Sequence, residues 1–160
     1  MIKSILNKFG TVLYVQIWEK RIKVTNITTK DIFDEKALVA VKSEKGKKSI
    51  EALGNNASLV TNTNTIVSEP FSHKRLLLSD FTLAEILLQH IFSTLQKGKF
   101  GVRPRVVIHP MEKTDGGLGQ IEIRAFRDLA IGAGARETKV YQGKELLISS
   151  FDFDSLPRDY

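Results

Sequence analysis

Without a cysteine, the chain draws any chemistry it has from histidines, carboxylates, lysines and glycine-rich loops. His73, His90 and His109 share no metal-ligand spacing with one another or with acidic residues, so no metal site is expected. His90 falls on the apolar side of a helical stripe, where it is expected to hydrogen-bond within the core. Lys42, Lys45, Lys47 and Lys48 crowd one polar turn and form a candidate phosphate patch. No aromatic residue interleaves to stack a base and no nucleic-acid-reading motif surrounds them, so a solvated turn is expected and no nucleic-acid partner. The loop Lys113-Thr114-Asp115-Gly116-Gly117-Leu118-Gly119 precedes a helix and has the composition of an anion cradle. It matches neither a dinucleotide fingerprint nor a Walker loop, and ordinary turn glycines explain it equally well. Near the end of the sequence, Phe151, Asp152, Phe153 and Asp154 alternate aromatic and acidic side chains: a candidate partner-docking peptide or added strand, or a tail folded back on its own domain.

The elements that position these residues follow from periodicity. Thr11 to Trp18 and Arg21 to Ile27 read as a strand hairpin, continued by short strands over 31–33 and 37–41 into an antiparallel meander. A polar turn is expected at 42–48, a short helix at 49–53 and a surface loop over 55–65. Thr82 and Glu85 form a capping box ahead of the apolar stripe Leu83, Ile86, Leu87, His90, Ile91 and Leu95, which stops at Gly98. Arg105 to His109 is a buried strand between two prolines. A helix over 119–133 carries Ile121, Ala125, Phe126, Leu129 and Ala130 on one side, and strands are expected at 138–141 and 145–149. The strand, helix, strand order predicts a parallel crossover. The sum is an α/β fold, a mixed sheet with an antiparallel meander, a βαβ unit and flanking helices.

One compact domain of 160 residues, 42% apolar and 26% charged, is long enough for a core and short for a two-domain enzyme. Its net charge of +6 lies wholly in the first fifty residues, which hold 11 basic and 5 acidic side chains. Residues 1–9 read as an amphipathic helix: Ile2, Ile5, Leu6 and Phe9 recur at helical spacing, while Lys3 and Lys8 fall elsewhere. Against a bilayer interface the four apolar side chains contribute at most roughly 6 to 12 kcal/mol. Each lysine adds about 1 kcal/mol near anionic lipid. Ordering nine residues that are not helical alone offsets much of this, so a single copy binds weakly. The alternative is that the same residues pack on the protein's own sheet or are disordered. No apolar run approaches the roughly 20 residues of a membrane span, and no signal peptide is evident, so the expected location is cytoplasmic.

Several strings resemble the N-terminal half of the bacterial actin-like, rod shape-determining MreB family. They are Leu78-Ser79-Asp80-Phe81-Thr82, Leu88-Gln89-His90-Ile91-Phe92, Arg103-Pro104-Arg105-Val106-Val107-Ile108 and Ala52-Leu53-Gly54-Asn55-Asn56-Ala57. The most distinctive is Gln120-Ile121-Glu122 with Arg124-Ala125, leading into Gly132-Ala133-Gly134-Ala135-Arg136-Glu137. The resemblance covers most of residues 1–140. It implies a ribonuclease-H-like fold of the actin/Hsp70 ATPase superfamily, present as a single half: subdomain IA with a reduced IB insertion. Residues 10–150 would then be the actin-like domain, 1–9 the amphipathic opening and 151–160 an acidic-aromatic tail.

Members of that family bind ATP between two such halves, polymerise and organise wall synthesis under the inner membrane. Departures from the family pattern bear on each activity. The family's phosphate hairpin reads Asp-Leu-Gly-Thr-Ala-Asn-Thr, where this chain has Gln16-Ile17-Trp18-Glu19-Lys20-Arg21-Ile22. Gln16 replaces the metal-side carboxylate, Trp18 fills the glycine position that admits phosphate, and Glu19 adds negative charge. No nucleotide cofactor is therefore expected. Glu122 falls on the position that orients the attacking water, and is the weak catalytic candidate. Gln142-Gly143-Lys144-Glu145-Leu146-Leu147 replaces the family's passage into the second half. The reading these features imply is a non-catalytic, actin-like cytoskeletal interaction module. Its expected partners are a full-length MreB-type filament or a second copy, with residues 1–9 on the inner membrane surface. The alternative is a phosphohydrolase half that needs a second subunit and uses Glu122 to orient water.

Overall fold

A computed structural model describes residues 1, 2, 10–96 and 102–158. The amphipathic helix expected at 1–9 lies, but for its first two residues, outside them. The described strands are β1 (Val12–Ile17), β2 (Arg21–Asn26), β3 (Ile32–Lys36), β4 (Val39–Glu44), β5 (Lys47–Leu53) and β6 (Thr65–Ser68). Helix α1 (Phe81–Leu95), β7 (Arg105–Pro110), α2 (Gln120–Gly132) and β8 (Glu137–Val140) follow. They form two sheets, one of five strands in the order β3-β2-β1-β7-β8 and one of three in the order β5-β4-β6. β1 runs antiparallel to β2 and parallel to β7, and β7 runs parallel to β8, so the expected parallel crossover through α2 is present.

The meander differs from the expectation after β3. β4 leaves for the smaller sheet, where it pairs antiparallel with β5 and β6. Residues 47–53, expected as a turn and a short helix, are strand. Lys45 and Gly46 take φ of 48° and 76°, the doubly left-handed pair of a two-residue hairpin, and that turn places Lys47 directly opposite Glu44. The polar stretch 55–65 is a 3-10 turn over Gly54–Leu59 followed by β6. The strand expected at 145–149 is also absent: 148–150 form a 3-10 turn, and the segment crosses a sheet face instead of lengthening an edge.

Helix α1 starts earlier than the Thr82/Glu85 box implied. Asp80, in an extended conformation, accepts a hydrogen bond from Leu83 N at 3.0 Å and is the N-cap. Its buried side is Ala84, Leu87, Leu88, Ile91, Phe92 and Leu95. His90 is exposed and meets Phe33 edge-on, which corrects its expected place in the core. Glu85 instead lies against Gly132, whose carbonyl accepts from Gln89 Nε2 at 3.1 Å, so α1 and α2 meet closely there. Asn26 ties the hairpin to the end of α1: Nδ2 donates to Leu95 O, and Oδ1 accepts from Thr28 N and Thr29 N.

Both faces of the five-stranded sheet are covered. The first carries Leu13, Val15, Ile17, Val106 and Ile108 against α1 and α2. The second carries Tyr14 and Val107, and is covered by Leu146, Ile148, Phe151, Phe153 and Leu156. Phe153 is 2% exposed. Lys139 Nζ donates to the carbonyls of Phe153 and Leu156 at 2.7 and 2.8 Å, and the Arg105 guanidinium lies over the Phe153 ring while ion-pairing with Asp154 at 2.9 Å. The tail is folded back on its own domain and adds no strand: Phe153 and Asp154 are engaged within the chain, and Asp152 caps the local turn by accepting from Asp154 N. Truncating Phe153 to Ala removes the centre of this cover. Urea unfolding should show a loss of about 3 to 5 kcal/mol, the range for a buried phenylalanine; a loss below about 1 kcal/mol would mean that the tail is not part of the cooperative unit.

Candidate functional site

β1, β7 and β8 all end at the same rim of the sheet, at Ile17, Pro110 and Val140. Open α/β sheets bind ligands outside the carboxyl ends of their parallel strands, where backbone groups and loops converge. Here the converging loops are 18–20, 111–119 and 141–147. Between the last two lies an open cleft of about 400 Å³, bordered by His109, Met111, Thr114, Gly117, Gln142 and Gly143.

The hairpin residues singled out in the sequence all sit at this rim, already engaged. Gln16 is 1% exposed, and its Nε2 donates to Glu145 Oε1 at 2.9 Å. Glu19 accepts from Ser72 Oγ at 2.9 Å and pairs with Lys113 at 3.5 Å. The Ser72 hydroxyl, with Lys113 beside it, holds the Glu19 carboxyl below the usual range. The Glu19 backbone N–H donates to Glu112 Oε2 at 2.6 Å. Trp18 lies under the Arg21 guanidinium, which makes a two-pronged pair with Asp34 at 2.6 and 2.7 Å. Three carboxylates, Glu19, Glu112 and Glu145, thus converge on the hairpin.

The glycine loop is occupied from within as well. Gly117 N donates to Thr114 O, Leu118 N to Gln142 Oε1 at 2.7 Å, and Gly119 N to Glu122 Oε2 at 2.8 Å. Glu122 is therefore half-buried and folded back on the start of its own helix, where its negative charge also suits the helix dipole. Among the described residues, no group of three or more histidine and carboxylate side chains is arranged to hold a metal ion. No described helix is long and apolar enough to cross a membrane.

The residue that the sequence reading missed is His109. It is buried, and its Nε2–H donates to Gly143 O at 3.0 Å, which leaves Nδ1 to accept from Tyr14 OH at 2.6 Å. The Tyr14 oxygen in turn accepts from Leu146 N at 3.3 Å. The signal was the register: parallel pairing sets Gln16 beside His109 and Tyr14 beside Val107, so the polar residues of two apolar runs share one face. Burial holds the His109 imidazole below its usual range, against the opposing pull of the Gly143 carbonyl and Glu145, and burial pushes the Tyr14 hydroxyl up to about 12.

The fold is that of part of an actin-like protein. The fold superposes on MreB5 of Spiroplasma citri bound to AMPPNP with a TM-score of 0.65 at 18% identity, covering 82% of this chain and 38% of that one. A MamK double helical filament gives 0.63 at 16% identity, covering 82% and 40%. The chain belongs to the MreB/Mbl family, whose model matches residues 20–148. It is 33% identical to the cell shape-determining protein MreB of Haemophilus influenzae over 112 residues, and equally to that of Pasteurella multocida over 110. In both cases the match takes in 66% of this chain, which spans about 30% of the length of those relatives.

A histidine kept neutral by burial has a defined linkage to pH. The unfolded chain's histidine gains its proton near pH ~6.5, whereas His109 in the folded state resists it, so below that pH the unfolded state binds more protons and stability falls. This contribution is fully present above about pH 6.5 and lost as pH drops from there toward the folded value. His109→Gln should be less stable than the parent at pH 7.5, with the difference narrowing at pH 5.5 in urea melts. A difference that stays constant across that range would refute the linkage.

Proposed function

We propose that this chain is a non-catalytic, actin-like interaction module that acts through protein contacts at the cytoplasmic face of the inner membrane. The observation that carries this reading is the Glu112 carboxylate on the Glu19 backbone N–H. A phosphate held at this hairpin would need that amide free and small residues around it. Here the amide already has an anionic acceptor, Trp18 occupies the turn, and Glu19 and Glu145 flank it. A polyphosphate would have to displace one carboxylate and approach two more. Glu122, bonded to Gly119 N, orients the start of a helix rather than a water molecule.

MreB5 of Spiroplasma citri binds AMPPNP and ADP, and MamK forms a double helical filament. On the proposed reading this chain keeps the filament family's fold while lacking its nucleotide dependence. Its partner is then a full-length MreB-type filament or a second copy. Isothermal titration with Mg-ATP should show no binding up to about 1 mM, a level at which even a weak site of about −4 kcal/mol is half filled. Micromolar binding would instead favour the phosphohydrolase reading, and loss of turnover in Glu122→Gln would then assign that carboxylate.

Membrane association rests on Ile2, Lys3, Ile5, Leu6, Lys8 and Phe9. A weak single anchor gains useful affinity through linked copies on one filament. The intact chain should co-sediment with anionic liposomes and lose most of that association when residues 1–9 are removed. Equal behaviour of the two chains would remove the membrane from the proposal.

A further inference from the structure

Four strand edges are available in the two sheets: β3 and β8 in the larger, β5 and β6 in the smaller. Exposed edges pair with other chains unless charge, irregularity or cover prevents it. β3 carries Asp34, Glu35 and Lys36, and Asn55 from the adjoining 3-10 turn bonds both Glu35 and Lys36 N. β5 carries Lys47, Lys48 and Glu51 and a register shift opposite Ala40/Val41. β8 carries Glu137 and Lys139, whose ammonium fastens the C-terminal segment. β6 is the least protected: it carries no charge, and of its two outward N–H groups the Thr65 one is taken by Asn62 O at 3.2 Å, which leaves that of Val67. Its sequence Thr65-Ile66-Val67-Ser68 is uncharged and largely β-branched, with Ile66 70% and Val67 40% exposed.

We infer that two copies of this chain pair edge to edge and antiparallel through β6, joining their small sheets into one of six strands. The occupant is a second copy because the edge is complementary to itself. A two-fold axis perpendicular to the sheet at Ile66 sets Ile66 opposite the partner's Ile66, Thr65 opposite the partner's Val67 and Asn64 opposite the partner's Ser68. No charged residues meet in that register. Ile50, Val41 and Ile66 are already cross-strand neighbours, so the apolar row continues unbroken through all six strands. An edge of four residues falls well short of the roughly 1,200 Å² of a stable interface, so the pairing is reversible and concentration-dependent. This gives the self-association in the proposed function a surface, and it rests on that reading only in taking the module to act through proteins.

Sedimentation velocity from about 10 to about 300 µM should show the average mass rising toward a dimer, as mass action requires. Ile66→Lys places two like charges opposite each other and should remain monomeric, with the far-UV spectrum and thermal midpoint of the parent because the side chain is exposed. The chain has no cysteine, so a single one reports register. Ile66→Cys should cross-link on oxidation, and Ile50→Cys, on the opposite edge strand β5, should not. A parent that stays monomeric, a dimer that survives Ile66→Lys, or equal cross-linking at the two positions would each overturn the pairing. So would a monomeric parent whose Ile66→Lys variant loses co-sedimentation with a full-length MreB-type filament, since the edge would then serve that partner. Nucleotide titration is independent of β6, so failure here leaves the pseudo-enzyme reading to its own test.

Discussion

A sheet with a parallel centre has to be covered on both faces, because its strands are apolar on both sides. The rest of this structure depends on that constraint. β1 is flanked antiparallel by β2 and parallel by β7, and all but its first residue are buried. Helices α1 and α2 cover one face in the ordinary way of α/β folds. The other face is covered by an irregular segment, and irregular backbone needs hydrogen-bond partners that a helix would supply for itself. The buried Lys139, Tyr14 and His109 provide them. Lys139 bonds two of the segment's carbonyls, the Tyr14 hydroxyl takes the Leu146 N–H, and His109 takes the Gly143 carbonyl. Arg105 adds side-chain contacts, an ion pair with Asp154 and a stack on Phe153. Buried polar residues in the strands are therefore the means by which a loop covers a sheet.

This also explains which parts of the fold were legible in the sequence. The β1–β2 hairpin, α1, β7 and α2 each satisfy their local periodicity within one segment, and they were readable. The three-stranded sheet was not, because its apolar residues are few and dispersed: β5 reads Lys-Lys-Ser-Ile-Glu-Ala-Leu, and only the left-handed Lys45-Gly46 turn commits it to pairing. β6 was hidden in an Asn/Thr-rich stretch with two apolar residues. The histidines differ for a comparable reason. Helical periodicity set His90 on the apolar side of its stripe, yet it is solvated, whereas the bonds of His109, in a strand readable as buried, follow from its register against β1, a non-local fact.

At the candidate site, the residues were legible and their partners were not. Gln16, Trp18 and Glu19 stand out against the family's small, phosphate-admitting hairpin. That Glu112 reaches the hairpin amide from the loop after β7, and Glu145 reaches Gln16 from the segment after β8, depends on all three strands ending at one rim. This rim is hydrogen-bonded but acidic: Lys113 offsets Glu19, while Glu145 and Glu112 accept from the neutral Gln16 amide and Glu19 N–H. An incoming anion would compete with existing short hydrogen bonds and meet the repulsion of the carboxylates it displaced.

Segment 141–147 links these two halves of the structure. Its apolar residue Leu146 begins the cover of the second face, while Gln142 bonds Leu118 N in the glycine loop and Glu145 bonds Gln16 in the hairpin. His109 sits between, holding Gly143 in place. Covering the sheet and bordering the cleft have one cause, since a segment laid across the second face must pass the carboxyl ends of β1 and β7 to get there. A loosened cover would free Glu145 and Gln142 together, because both lie on the segment whose Leu146 packs against the second face. The same buried contacts that stabilise the domain therefore hold Gln142 and Glu145 at the strand ends, beside the open cleft.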